Sequence, residues 1–225
     1  MHPPRVITAG AEAGGDMRVL IADDHAVVRR GLIQLLTDEY RTLSVGEAPN
    51  AGEVLKLARE QDWDIIILDI SMPGTSGLEV LKELKRERPR VPILMLSSHP
   101  EEQYAIRVLK AGAAGYMPKE SAAEHLVEGI RKVTGGGRYV SPKLAELLAA
   151  SIGSDQEKPP HESLSDREYR VLCLIGSGKT VGEIARDLSL SVKTVSTYRS
   201  RILEKMGMKT NAELTHYALK NGLVD

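Results

Sequence analysis

A chain of 225 residues, 42% hydrophobic and 27% charged, has room for one large domain or two ordinary ones and the composition of a water-soluble globular protein. Its single cysteine, Cys173, excludes an intramolecular disulfide and any multi-cysteine metal centre, and no apolar run approaches the roughly 18 residues needed to span a bilayer. The formal net charge of -1 excludes a uniformly basic coat but hides an asymmetry: residues 161–225 hold 10 Lys and Arg against 8 Asp and Glu, leaving 20 against 23 for the rest, so the C-terminal part is the basic one.

Residues 1–16 are rich in Gly and Ala, with two prolines and no continuous apolar stretch. They read as a disordered N-terminal tail rather than a signal peptide, and Met17 is a second candidate start. Between residues 17 and 133, short apolar runs alternate with helical patterns. Strands are expected at 17–22, 43–47, 64–68, 91–97 and 115–117, with five helices between and after them. Ile65-Ile66-Ile67-Leu68 is apolar at successive positions. Such a run suits a parallel strand buried on both faces, so the fold class is α/β, a five-stranded doubly wound parallel sheet. Phe is absent and aromatics make up only 4%, which makes the cores aliphatic.

From Thr134 to Ser163 the character changes to Gly135-Gly136-Gly137, a short helical stretch near 142–150 and then Pro159-Pro160, which is a linker. Beyond it every segment is helical. Three capping boxes, Ser165/Glu168, Thr180/Glu183 and Thr210/Glu213, together with Ser191, predict helices starting near 166, 181, 192 and 211. Residues 164–225 therefore form a small all-α, four-helix domain.

Asp23-Asp24 follows the first expected strand and Asp69 the third, so three carboxylates emerge at one carboxyl edge of the sheet, where ligands of such sheets sit. An oxygen-only cluster of this kind suits Mg²⁺. Ser97 and Lys119 fall at the ends of the fourth and fifth strands on the same edge, and a hydroxyl and an ammonium are what phosphate oxygens need. The chemistry implied is attack by Asp69 on a phosphoryl donor, with Mg²⁺ and Lys119 stabilising the equatorial oxygens and Ser97 bonding the new phosphoryl group. His25, beside the acid pair, reads as a first-turn helix residue.

Residues 17–133 resemble a response-regulator receiver domain in Asp23-Asp24, Leu68-Asp69-Ile70-Ser71-Met72-Pro73-Gly74, Ser97 and Lys119. The resemblance implies that Asp69 is the phospho-acceptor, that Asp24, Asp69 and the Ser71 carbonyl ligate Mg²⁺ with Asp23 acting through water, and that Tyr116 is the switch aromatic. One departure is that Pro118 precedes Lys119 and Glu120 follows it, whereas many receivers carry proline directly after the lysine. Ser71 and His99 flank the expected path of attacking water and are candidates for tuning phosphate lifetime.

In residues 192–206, Val195, Ile202 and Met206 mark one apolar stripe, and the other face carries hydroxyls with four basic residues against one acid. A short connection to the preceding helix makes the pair a helix-turn-helix. Leu164–Glu168, Gly178-Lys179, Glu183-Ile184-Ala185 and Ser191–Val195 resemble the LuxR-type DNA-binding domain, and the whole order resembles the NarL/FixJ class of response regulators. That resemblance implies base-edge contacts from Ser196, Thr197 and Ser200, backbone contacts from Lys193, Thr194, Arg201, Lys205 and Lys209, and dimerisation through the last helix. The partners it implies are a sensor histidine kinase, double-stranded promoter DNA and a second copy of the chain, with no membrane, in the cytoplasm. Cys173 to Thr180 nearly spells a phosphate-binding loop, but its first glycine is replaced and it follows a helix rather than a strand.

Two other classes stay open on these residues. One is a Mg²⁺-dependent phosphohydrolase, although Ser71 stands where a second acid would expel product. The other is a DNA-binding regulator whose receiver does not signal.

Overall fold

The computed structural model of the chain describes residues 6–8, 17–72, 75–153 and 159–224. It divides into two units, Met1–Ala145 and Glu146–Asp225.

In the first unit, strands β1 (Val6–Thr8), β2 (Met17–Ala22), β3 (Thr42–Ala48), β4 (Ile65–Asp69), β5 (Ile93–Ser97) and β6 (Gly115–Pro118) form one sheet in the order β1-β3-β2-β4-β5-β6. The five strands from β2 to β6 are parallel, as the apolar runs predict. Within residues 1–16, read from sequence as a disordered tail, residues 6–8 form strand β1, which adds an antiparallel edge with Val6 opposite Ser44 and Thr8 opposite Thr42, and the other residues of that segment lie outside the described ones. An edge strand offers a row of unpaired backbone groups, and a Val-Ile-Thr triplet is a ready partner for it.

Helices α1 (Ala26–Glu39), α2 (Ala51–Glu60), α3 (Gly77–Glu87), α4 (Glu101–Lys110) and α5 (Ala122–Thr134) alternate with the strands. Ile65 and Ile67 pack with Val19, Ile21, Leu94 and Leu96 under Leu36 of α1 and Ile130 of α5. The strand period of two turns Leu20, Ile66, Leu68 and Met95 to the opposite side, where Val54, Leu81 and Val108 are also buried. Each such aliphatic side chain contributes about 1.5–3 kcal/mol by leaving water. Along β4 and β5 every position is buried, so polar groups of these central strands emerge at their ends.

Helix α6 (Pro142–Gly153) begins in the first unit and runs past its boundary. The second unit contains α7 (Asp166–Gly176), α8 (Val181–Asp187), α9 (Val192–Met206) and α10 (Asn211–Lys220). All three expected capping boxes form, and Ser191 accepts from the Thr194 amide. Helices α7, α9 and α10 meet at Leu172, Ile175, Val195, Ile202 and Leu214, all buried. Gly176 is required at this contact, because a Cβ there would come within 2.7 Å of the Ala218 Cβ. The loop-like stretch from Cys173 is thus the end of α7, with Gly178 in a left-handed turn and Thr180 capping α8.

Candidate functional site

The carboxyl edge of the sheet brings Asp23, Asp24, Asp69, Ser97 and Lys119 together. Asp69 and Ser97 are the last residues of β4 and β5, and Lys119 opens a 3-10 turn directly after β6. The hydroxyl of Ser121 donates to the Pro118 carbonyl at 3.0 Å, which is how the loop is held with proline before the lysine instead of after it. Lys119 Nζ lies 2.6 Å from Asp23 Oδ2 and 3.0 Å from Asp69 Oδ2.

Asp23 and Asp69 are each only 1% exposed. Burial pushes the Asp69 carboxyl above the usual aspartate range, with Lys119 opposing the rise and Asp23 adding to it. Burial alone would depress the Lys119 ammonium, but its hydrogen bond to Asp23 and the charge of Asp69 outweigh it, and the ammonium is held above its ordinary value. Asp69 Oδ1 accepts from the Ser71 amide at 3.2 Å, and Asp23 Oδ1 from the His25 amide at 2.8 Å. Asp23 Oδ2 and Asp69 Oδ2 are buried with the Lys119 ammonium shared between them, and the buried Asp24 Oδ1 faces the His25 ring, so two nitrogens serve three carboxylate oxygens. Donor atoms of Asp23, Asp24, His25 and Asp69 all lie within 4.8 Å of one another. Such an oxygen-rich, under-satisfied cluster fits a hard divalent cation. His25 precedes α1 and points Nδ1 at Asp24 Oδ1, 2.8 Å away.

Around this cluster, the Ser97 hydroxyl accepts from the His99 amide at 3.0 Å and the Tyr116 hydroxyl donates to the His99 carbonyl at 2.6 Å. Tyr116 is fully buried, which raises its phenol, while a hydrogen bond from Ser97 lowers it in part. Ser71 Oγ and His99 Nε2 are 2.9 Å apart. Pro73 and Gly74 of the quoted segment lie outside the described residues.

Gly77 and Arg29 were not singled out from sequence. A Cβ at Gly77 would fall 1.9 Å from the Asp69 carbonyl oxygen, so glycine is what lets α3 start against the end of β4. The Ser76/Glu79 capping box is the signal that marks this start. Arg29 braces the acid pair by donating to the Asp23 carbonyl at 2.7 Å while pairing with Glu47.

In the second unit, Ser189, with φ of 53°, makes the tight turn between α8 and α9. Lys193, Thr197, Ser200 and Arg201 of α9 and Lys209 beyond it are exposed, and Thr194 and Ser196 are partly so. Lys205, expected to touch the DNA backbone, is exposed as well but is held in an ion pair. Its ammonium reaches Glu168 Oε2 at 2.6 Å, because that carboxylate is buried and needs a cation.

Residues 19–131 match the response regulator receiver domain family, and residues 162–218 match the luxR family of bacterial regulatory proteins. The chain is 40% identical to the response regulator GacA of Pseudomonas aeruginosa over 93% of its own length and 98% of that protein's, and 38% identical to the response regulator UvrY of Escherichia coli over 92% and 95%. Among solved structures it resembles RcsB of Salmonella enterica bound to promoter rprA in the presence of the phosphomimetic BeF3-, with a TM-score of 0.63 and 28% identity over 90% of this chain and 98% of that one. The chain belongs to the NarL/FixJ-class response regulators, which join a receiver domain to a LuxR-type helix-turn-helix domain.

Proposed function

We propose that this response regulator is a phosphorylation-dependent transcription regulator of a two-component system, in which Asp69 takes a phosphoryl group from a sensor histidine kinase and the C-terminal helices bind promoter DNA as a dimer in the cytoplasm. The observation that carries it is Lys119 bridging two buried carboxylates at the sheet edge, with Ser97 on the adjoining strand end. An Asp69 oxygen attacks phosphorus in line, the bond from phosphorus to the kinase imidazole breaks, and the imidazole nitrogen keeps the electron pair and takes up a proton. Asp24, Asp69 and the Ser71 carbonyl would hold Mg²⁺, with Asp23 acting through water, and the ion when bound neutralises charge on the phosphoryl oxygens. Lys119 offers its ammonium to the same oxygens, and Ser97 its hydroxyl to the product.

On the DNA side, Ser196, Thr197 and Ser200 face base edges while Lys193, Thr194, Arg201 and Lys209 meet phosphates. RcsB relatives solved as DNA complexes, one with two dimers on two parallel DNAs, support DNA and a second copy as partners. Helix α10, with Leu219 exposed, is the proposed dimer contact. No helix among the described residues is long and apolar enough to cross a membrane.

The test is intact mass and DNA affinity at fixed salt, with and without Mg²⁺ and acetyl phosphate, for the wild type and Asp69→Asn. One added phosphoryl group in the wild type alone, with tighter DNA binding, supports the reading. A wild type that binds DNA but gains no mass would make the receiver a scaffold that does not signal.

A further inference from the structure

The segment leaving the receiver is seated on it by specific contacts. Tyr139 is buried, its amide donates to the Ala114 carbonyl at 2.9 Å, and it forms a parallel bridge with Gly115. A Cβ at Gly115 would come within 2.8 Å of Tyr139, so glycine is what admits the chain there. Two residues later, Ser141 caps α6: its Oγ accepts from the Leu144 amide at 3.0 Å and donates to Glu101 Oε2 at 2.6 Å. Lys143 pairs with Glu102 at 2.5 Å.

Glu101 and Glu102 are the first two residues of α4. Glu101 is 5% exposed, and its other oxygen is buried without a hydrogen bond. A carboxylate that poorly compensated is costly to keep inside, so the Ser141 hydroxyl carries unusual weight for it. The start of α4 is itself tied to the acidic site, because Ser97 Oγ holds the His99 amide and the His99 carbonyl holds Tyr116, just before Pro100 and Glu101. The contacts therefore run without a gap from the last residue of β5 to the first turn of α6.

We propose that Glu101 and Glu102 are positioning residues that grip the first turn of the linker helix through Ser141 and Lys143, and that this grip changes when Ser97 turns to a phosphorylated Asp69. The proposal rests on the phosphorylation reading above. Ser97 serves two demands, because the oxygen that accepts from His99 is the one that bonds the phosphoryl group. Its movement is passed through His99 to Pro100, and so to the two glutamates. The linker helix is the covalent route to the second unit, so a change in its cap is a change the DNA-binding domain receives.

Ser141→Asp and Ser141→Asn test this in the full chain. Both residues cap helices as well as serine, so α6 keeps its cap in each. The asparagine amide can still donate to Glu101, whereas aspartate sets two carboxylates face to face. The measured quantity is the ratio of affinities with and without acetyl phosphate and Mg²⁺, for a duplex selected from random sequence by the wild type, alongside phosphoryl incorporation by mass. The expected result is normal incorporation in both variants, a wild-type ratio for Ser141→Asn, and a ratio within about twofold of one for Ser141→Asp. Glu102→Lys should lower the ratio too, and adding Lys143→Glu should restore it. A wild-type ratio in Ser141→Asp, or a loss of phosphorylation itself, overturns the proposal. A wild type with no ratio to begin with overturns the phosphorylation reading and this proposal with it.

Discussion

Lys119 Nζ and Asp69 Oδ2 are 3.0 Å apart at an edge of the sheet where Asp69 is sealed from solvent, and the same ammonium holds Asp23. Taking it away leaves two buried carboxylates facing each other. Lys119→Met, which keeps the stem and removes the charge, is expected to destabilise the receiver by about 3 kcal/mol in chelator, as breaking a buried pair does. Adding Asp23→Asn should recover part of the loss. Urea unfolding of the three proteins decides it, and an unchanged midpoint for Lys119→Met would mean the pair is not what compensates these carboxylates.

Ser71 Oγ and His99 Nε2 are joined at 2.9 Å and the Ser71 amide donates to Asp69, and we propose that the two side chains act as one hydrogen-bonded gate across the path of water. Truncating either opens the gate. Ser71→Ala and His99→Ala are each expected to speed loss of the phosphoryl group about threefold or more, the worth of one net hydrogen bond. The double variant should be no faster than the faster single one, because the shared bond can be lost only once. Decay of the phosphorylated protein followed by intact mass checks this. Fully additive effects would show that the two side chains act separately.

Much of this molecule is written locally. The central strands are the most legible, because β4 and β5 are buried along their whole length and so must be apolar at consecutive positions, as 65–68 are. The helix starts of the second unit are legible because a hydroxyl and a carboxylate three residues apart satisfy backbone amides without help from elsewhere. The acidic site follows from both, since strand ends place Asp23, Asp69, Ser97 and Lys119 on one edge. What was not legible depends on distant partners. Strand β1 exists through pairing with the open edge of β3, and nothing in its own Gly- and Ala-rich surroundings announces it. Tyr139 docks on β6 only because Gly115 leaves room. Lys205 turns to Glu168, 37 residues earlier, because packing of α7 buries that carboxylate.

Glu168 gives the second unit a pH signature. Burial would raise its carboxyl, but Lys205 and the Ser165 cap outweigh that and hold it below the usual glutamate value of 4.5. A lowered folded-state value contributes stability that is complete above 4.5 and is lost as pH falls through the folded-state value. Glu168→Gln is therefore expected to cost about 1 kcal/mol at pH 7, kept small because Lys205 is 41% exposed and screened by solvent. The cost should shrink as the medium is acidified below the glutamate range. Thermal unfolding across pH checks it, and a cost that grew on acidification would contradict the sign.

Lys193 and Lys205 lie on the same helix but in different company, and that separates their effects on DNA. Lys193 is exposed at the start of α9 with no carboxylate partner among the described ion pairs, whereas Lys205 is held 2.6 Å from Glu168. A lysine that neutralises a phosphate releases counterions, so its removal lowers the slope of log affinity against log salt by about one. Lys193→Ala should show that loss and weaken binding to all sequences alike. Lys205→Ala should leave the slope nearly unchanged and instead lower the unfolding temperature, because its charge is already committed to fixing α9 against α7. Ser200→Ala, at a proposed base-edge position, should alter sequence preference by about 1 kcal/mol without moving the slope. Salt titrations of the three variants distinguish the roles. An equal drop in slope for Lys193→Ala and Lys205→Ala would mean that DNA draws Lys205 away from Glu168 and that the ion pair exists only in the free protein.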